Sequence, residues 1–326
     1  MSNNNPIIEV KNLVKDFPIN ANALKKNHMR ALNDVSFNLY KGRALAIVGE
    51  SGSGKSTSAK IIAKMYSRTA GMVKYHGRDI DEFNHKQSLM EYRESVQMIF
   101  QDPFGSLNPT HTIFHHLARP LLLHKKVTNK ADLPGRIYEL LERVGLTPAK
   151  ETAEKFPHQL SGGQRQRVNI ARNLAVEAEI ILADEPTSML DVSIRLGVLN
   201  LMEDMKNDGI SMMYITHDIA TARYLAEDIG VMYVGHLVEW GEVDEVLQKP
   251  AHPYTQLLMS AVPNPEKSIH DNLEGGRKGE IPLWTPESVG CPFSGRCLQV
   301  MDKCNQALPE PKEIAPNHFV RCFLHE

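Results

Sequence analysis

Cysteine is nearly missing from this chain. Its 326 residues include four, and none falls before Cys291. A secreted disulfide scaffold spreads its cysteines through a short chain, so that class is excluded. Four thiols crowded into a terminal stretch suggest a local metal site or staple in an appended segment. Excess charge of one sign is missing too. The 37 Lys and Arg against 39 Asp and Glu leave −2 at pH 7, which gives no support to bulk nucleic-acid binding or a polybasic membrane anchor. No run approaches the about 18 uninterrupted apolar residues of a membrane span. The segment Met1–Pro6 lacks a basic-then-apolar leader pattern. The expectation is a cytosolic protein that serves any membrane process by docking. Internal repeats and low-complexity tracts are absent, and 42% hydrophobic residues suit one large globular domain or two modest ones.

What is present alternates between strand and helix patterns. Residues 7–17 alternate as an edge strand does, 18–30 form a polar, basic loop, and 35–39 read as a strand. The apolar run Ala44–Val48, bounded by Gly42 and Gly49, fits a buried parallel strand, with a helix over 56–66. Val96–Phe100 is a strand candidate. Residues 101–175 read as a helical insertion, in which Ile137, Leu140, Leu141 and Val144 make one stripe ending at Gly145. Further strands fall at 180–184 and 210–216, a helical face runs through Ile194, Val198, Leu201, Met202 and Met205, and Gly235 centres a hairpin. This order predicts an α/β fold with a mainly parallel sheet covered on both faces.

Three motifs carry chemistry. Gly49-Glu-Ser-Gly-Ser-Gly-Lys55-Ser56 follows a strand and opens a helix, the context a phosphate loop requires. Its backbone, through Gly49, Ser51, Gly52, Ser53 and Gly54 and on to Thr57, can curl its N–H groups around an anion at a helix N-terminus. Lys55 supplies charge for the β- and γ-phosphates, and the Ser56 hydroxyl can ligate Mg²⁺. The strand at 180–184 ends in Asp184 and Glu185. Alone these acids read as a solvated strand end. Beside a phosphate loop, Asp184 reads as a holder of Mg²⁺ and Glu185 as the general base that polarises an attacking water. Leu160-Ser161-Gly162-Gly163-Gln164 opens another helix 20 residues before Asp184 and repeats the anion-cradle physics.

With this pentapeptide the chain resembles the ABC ATPases, which are P-loop NTPases. The resemblance implies an antiparallel β edge and a helical subdomain at about 101–175. It also implies a head-to-tail dimer in which Ser161, Gly162, Gly163 and Gln164 face the γ-phosphate held by the opposite subunit. Residue by residue, it implies that Phe17 stacks on adenine (core packing being the plainer reading), that Gln101 touches Mg²⁺, that Asp191 couples the two sites, and that His217 contacts the γ-phosphate. Met189 stands where the family usually has Ala.

One phosphate loop and no span imply a separate ATPase subunit on the cytoplasmic side of the cell (inner) membrane. The stretches His252–Leu258, Gly279–Pro282, Gly290–Cys297 and Gln101–Pro109 resemble the branch that powers oligopeptide and dipeptide importers, although the connector Thr285–Val289 departs from it. That resemblance implies two permease subunits, a second and similar ATPase as heterodimer partner, an extracytoplasmic substrate-binding protein acting indirectly, and no nucleic acid. Other cargo (nickel, oligosaccharide, antimicrobial peptide) or a soluble ATPase acting on nucleic acid are the alternatives. The expected division is a cassette over 1–262 and a cysteine-rich extension over 263–326. Cys291, Cys297, Cys304 and Cys322, separated by 5, 6 and 17 residues, suit either an iron–sulfur cluster or tetrahedral Zn²⁺, with plain thiols or disulfides as the remaining reading. Resemblance implies a structural [4Fe–4S] cluster.

Overall fold

The structure is a computed structural model that describes residues 5–19, 27–261 and 281–326. The strands are β1 (Ile8–Ile19), β2 (Asn27–Leu39), β3 (Ala44–Val48), β4 (Ala70–Tyr75), β5 (Arg78–Asp79), β6 (Val96–Ile99), β7 (Ile180–Asp184), β8 (Ser211–Thr216), β9 (Asp228–Tyr233), β10 (His236–Glu242), β11 (Lys312–Ala315) and β12 (His318–Val320). The helices are α1 (Lys55–Ile62), α2 (Lys86–Ser95), α3 (Ile113–Leu123), α4 (Leu133–Arg143), α5 (Ala149–Glu154), α6 (Gly162–Ala175), α7 (Val192–Asn207), α8 (Ile219–Leu225), α9 (Val243–Gln248) and α10 (Pro253–Ser260). Part of the expected 18–30 loop, the expected boundary at 262/263 and Gly279 lie outside the described residues. No helix among the described residues is long and apolar enough to cross a membrane.

Two compact units divide the chain, one from residues 1–40, 44–80 and 214–326 and the other from 41–43 and 81–213. In the first, β2, β1, β4 and β5 form an antiparallel sheet in that order. Separately, β3 runs parallel to β9, and β9, β10, β12 and β11 continue as antiparallel neighbours. All five residues of β3 are buried, as expected for a parallel strand with both faces covered. The β9–β10 hairpin turns at Val234 and Gly235, both at positive φ, the backbone of a tight hairpin loop. Helix α1 stops four residues short of the expected end. Lys64 takes a left-handed conformation, and the Met65 N–H bonds the Lys60 carbonyl at 2.8 Å, closing the helix in a Schellman-type turn without glycine.

The tail packs within this first unit. Strand β12 extends β10 through Glu239, Trp240 and Gly241. The Arg30 N–H donates to the Trp284 carbonyl at 2.8 Å, and Arg321 pairs with Asp34 at 2.5 Å. The fully buried Glu239 carboxylate joins the layers. It accepts from the backbone N–H groups of Ala251 and His252, both at 2.8 Å, and bonds His318 Nε2 at 2.7 Å. A buried charge persists when its lone pairs are met in this way.

In the second unit, β6 runs parallel to β7, and β8 begins here before carrying the chain back to the first. The expected insertion is helices α3 to α6. Ile137, Leu140, Leu141 and Val144 are fully buried, and Gly145 ends the stripe at φ 72°.

Candidate functional site

The phosphate loop lies in the first unit. Strand β3 delivers the chain to Gly49, and α1 leaves from Gly54, its N-cap residue, at φ 101°. Gly49 (φ 149°) and Gly54 are required by close approach. A Cβ at Gly49 would meet the Met232 carbonyl oxygen at 2.1 Å, and one at Gly54 the Ala31 carbonyl oxygen at 2.5 Å. Lys55 is 4% exposed, and its Nζ donates to the Gly49 and Glu50 carbonyls at 2.7 and 2.8 Å. The ammonium therefore folds back across the loop, where an anion would sit. The buried Ser53 hydroxyl has no hydrogen-bond partner, which is costly unless a ligand supplies one. A glycine-built cradle, a lysine aimed into it and an orphaned hydroxyl fit a nucleotide phosphate chain, with Ser56 and Thr57 half-buried on the first turn of α1.

Two other expected residues belong to this unit. Phe17, on β1, is half-buried. Tyr66 meets it edge-on at 5.5 Å, and Lys15 Nζ lies 4.8 Å from its ring centroid. His217 is exposed directly after β8, and Asp218 caps α8 by accepting from the N–H groups of Ala220 and Thr221.

The remaining expected residues are in the second unit. Strand β7 ends at Asp184, which is buried, and Glu185 follows at φ 46°. A non-glycine residue in the left-handed region carries strain that its surroundings must hold. Here the Ser188 N–H and hydroxyl both donate to the Glu185 carbonyl, at 3.2 and 3.0 Å. Gln101 Nε2 donates to Glu185 Oε2 at 3.0 Å, so two residues 84 apart in sequence meet. Ser161 caps α6. Its Oγ accepts from the Gln164 N–H at 3.3 Å while Gln164 Oε1 accepts from the Ser161 N–H at 3.0 Å, a capping box. The first-turn N–H groups of a helix are of the kind that can receive an anion. Asp191 is exposed at the N-cap of α7 and makes no side-chain cap bond.

The four cysteines line one cavity of the first unit, with His252, Phe293, Met301 and Leu324 among its walls. Backbone N–H groups address the sulfurs: Phe293 to Cys291, Leu324 to Cys322, and Met301 to Cys304 at 3.5 Å. Burial pushes the Cys291 thiol up to about 12 and Cys322 up to about 11, and the neighbouring thiols add to both shifts. Among the described residues no three His, Cys, Asp or Glu side chains converge as ligands of a single metal ion. Four thiols with N–H donors in an apolar shell are groups of the kind that can ligate a metal ion or a cluster.

One contact was not anticipated from the sequence. Arg296, beside Cys297, makes a two-pronged ion pair with Glu50 inside the phosphate loop, Nη1 to Oε2 at 2.8 Å and Nη2 to Oε1 at 3.0 Å. The signal was present: a carboxylate in an anion-binding loop calls for a cation.

Residues 32–188 match the ABC transporter family, and residues 238–304 match the family described as oligopeptide/dipeptide transporter, C-terminal region. The chain is 39% identical over 330 residues to the oligopeptide transport ATP-binding protein AppF of Bacillus subtilis (strain 168), covering 99% of each chain. It is 37% identical to the dipeptide transport ATP-binding protein DppF of Escherichia coli (strain K12), over 98% of this chain and 94% of that one. Among solved structures, the dimeric ATP-binding cassette MJ0796 bound to ADP and Pi superimposes with a TM-score of 0.64 at 30% identity, over 72% of this chain and 98% of that one. A phosphate loop, a signature-capped helix and full-length kinship of this order leave one conclusion, that the chain belongs to the ATP-binding subunits of ABC transporters, in the branch bearing the oligopeptide/dipeptide C-terminal region.

Proposed function

We propose that this chain hydrolyses ATP to power a membrane importer of peptides. The observation that carries the reading is the span of the kinship. Proteins named for oligopeptide and dipeptide transport match 98–99% of the chain, tail included, whereas a cassette alone would match at residues 32–188. Two copies, or this chain and a similar second ATPase, would pair head to tail on two permease subunits at the cytoplasmic face of the membrane. An extracytoplasmic binding protein would deliver cargo to the permease.

In this reading the loop at 49–57 holds the phosphates, Lys55 moves from the Gly49 and Glu50 carbonyls onto them, and Phe17 stacks on adenine. Ser56, Gln101 and Asp184 would hold Mg²⁺, which neutralises phosphate charge. Glu185 orients and deprotonates the attacking water. Gln101 holds one oxygen of that carboxylate in place before the substrate arrives. His217 senses the γ-phosphate, and Ser161, Gly162, Gly163, Gln164 and Asp191 approach it from the partner. Phosphoryl transfer asks for positioning and charge compensation, and these groups supply both. The four cysteines would carry an iron–sulfur cluster that staples a tail too small for its own core.

Glu185→Gln tests the chemistry. The variant is expected to keep ATP binding and lose turnover by about a thousandfold, within the range for a general base. Wild-type hydrolysis in the variant removes that assignment. Copurification with two hydrophobic subunits, and ATP-dependent peptide uptake by the reconstituted complex, test the cargo; uptake of nickel or oligosaccharide instead would replace it. After anaerobic purification, a brown chain with about four iron atoms supports the cluster, and zinc without iron overturns it.

A further inference from the structure

Glu50 puts a negative charge inside a loop built to hold a triphosphate. At a few ångströms such a carboxylate opposes the ligand unless a cation answers it. Arg296 answers with two parallel bonds, the geometry that fixes direction as well as charge. Both side chains are largely shielded, at 15% and 28% exposure. The guanidinium also donates to Tyr233 Oη at 3.3 Å and stands 5.7 Å from the Tyr233 and Phe293 ring centroids. The backbone of Glu50 is held as well, its N–H donating to Tyr254 Oη at 2.8 Å.

Arg296 is in turn held by a cysteine-bounded turn. The Cys291 N–H bonds the Cys304 carbonyl at 2.7 Å, and the Ser294 N–H bonds the Cys291 carbonyl at 3.0 Å. The N–H groups of Arg296 and Cys297 both bond the Phe293 carbonyl at 3.0 Å. The residue that answers the loop's charge therefore sits on a segment whose two ends line the cysteine cavity.

We propose that Arg296 is a positioning residue that ties the phosphate loop to the cysteine-lined tail, so that ATP affinity depends on the tail through the Arg296–Glu50 pair. This rests on the reading of residues 49–57 as the ATP loop. Releasing the pair frees the loop and leaves the Glu50 carboxylate uncompensated beside the phosphates, so both effects lower affinity and the loss falls on KM rather than kcat.

The test is a double-mutant cycle on the full chain, read by binding of a fluorescent ATP analogue and by steady-state hydrolysis. Arg296→Met is expected to raise Kd and KM for ATP on the order of tenfold, and Arg296→Lys, which keeps the charge and loses the fork, to recover part of that loss. In a Glu50→Gln background, Arg296→Met should change affinity by less than about twofold, because the charge it answered is gone. A merely structural tail would show the same loss in both backgrounds, and that result overturns the proposal. So does unchanged affinity in Arg296→Met. Should Arg296→Met fail to fold, Arg296→Lys carries the cycle in the same two backgrounds. Wild-type protein that binds no ATP, or Lys55→Ala protein that binds it normally, sinks the loop reading itself and the proposal with it.

Discussion

The two turns proposed to receive phosphate both set glycine at the N-terminus of a helix, yet they are built differently. The phosphate loop of the first unit is pressed by backbone: a Cβ at Gly49 would meet the Met232 carbonyl of β9, and one at Gly54 the Ala31 carbonyl of β2. The signature turn of the second unit is pressed by side chains. A Cβ at Gly163 would meet Ile194 Cγ2 of α7 at 2.3 Å, and one at Gly162 would come to Leu190 and Phe104 at 3.7 and 3.9 Å. Backbone in a sheet cannot yield, whereas a side chain can turn or be replaced. The first turn is shaped before its ligand arrives. The second keeps room to adjust, as suits a surface expected to close on a nucleotide held by another subunit.

The largest effect is expected where backbone meets backbone. Gly49→Ala should cost at least the upper end of the roughly 1–3 kcal/mol overpacking range, about a hundredfold in ATP affinity. Gly52→Ala is the control, since its Cβ would meet nothing within 4 Å and only the φ of 80° resists it. Isothermal titration of both variants checks the order; equal losses would mean that φ rather than the Met232 carbonyl sets the requirement.

A second effect separates the units by pH. Two imidazoles back the phosphate loop. His236 adjoins Gly235, whose N–H donates to the Ser53 carbonyl at 2.9 Å, and His252 opens the helix that carries Tyr254. Burial lowers both, each to about 4. Each is thus neutral in the fold and holds a proton more readily once unfolded. Their stabilisation is complete above about pH 6.5 and is lost as pH falls from there toward 4, by about 3 kcal/mol apiece. Acid should therefore expose the loop of the first unit before the signature turn, because the imidazole that burial lowers beside α6, His116 of α3 opposed by the Arg172 charge, is only half-buried. Hydrogen exchange at pH 7 and pH 5 reads this directly: residues 49–57 should lose protection ahead of 161–175, and simultaneous loss would break the distinction.

How much of this was legible beforehand follows the range over which each feature is written. Strand β3, the helix that the phosphate loop opens, β7 and the α4 stripe are coded by adjacent or helically spaced residues, and the structure places these elements at 44–48, 55–62, 180–184 and 133–143. Helix α2 escaped notice because it buries only Tyr92 and so has no stripe. Strands β11 and β12 escaped because four and three residues show no period; their place comes from pairing to β10. The Gln101–Glu185 bond joins residues 84 apart and the Arg296–Glu50 pair residues 246 apart. No local pattern encodes either, and the only sequence trace of the second is an acid among phosphate-binding groups.

The smallest effect tests the side-chain half of the contrast. Gly163 lies in the first turn of α6 with ordinary helical backbone, where alanine normally favours the helix by about 1 kcal/mol. Here the Ile194 methyl should reverse that sign, because the added Cβ falls 2.3 Å from Cγ2. Gly163→Ala is expected to lower stability by roughly 1–2 kcal/mol as an overpacked contact between α6 and α7, and to slow turnover while ATP binding to the monomer holds. Ile194→Leu removes the branch at Cβ without changing volume. In that background Gly163→Ala should become neutral or stabilising, as read by thermal melts and by ATP turnover. If the alanine stays costly beside Leu, the turn is fixed by its own backbone, and the two cradles are built alike after all.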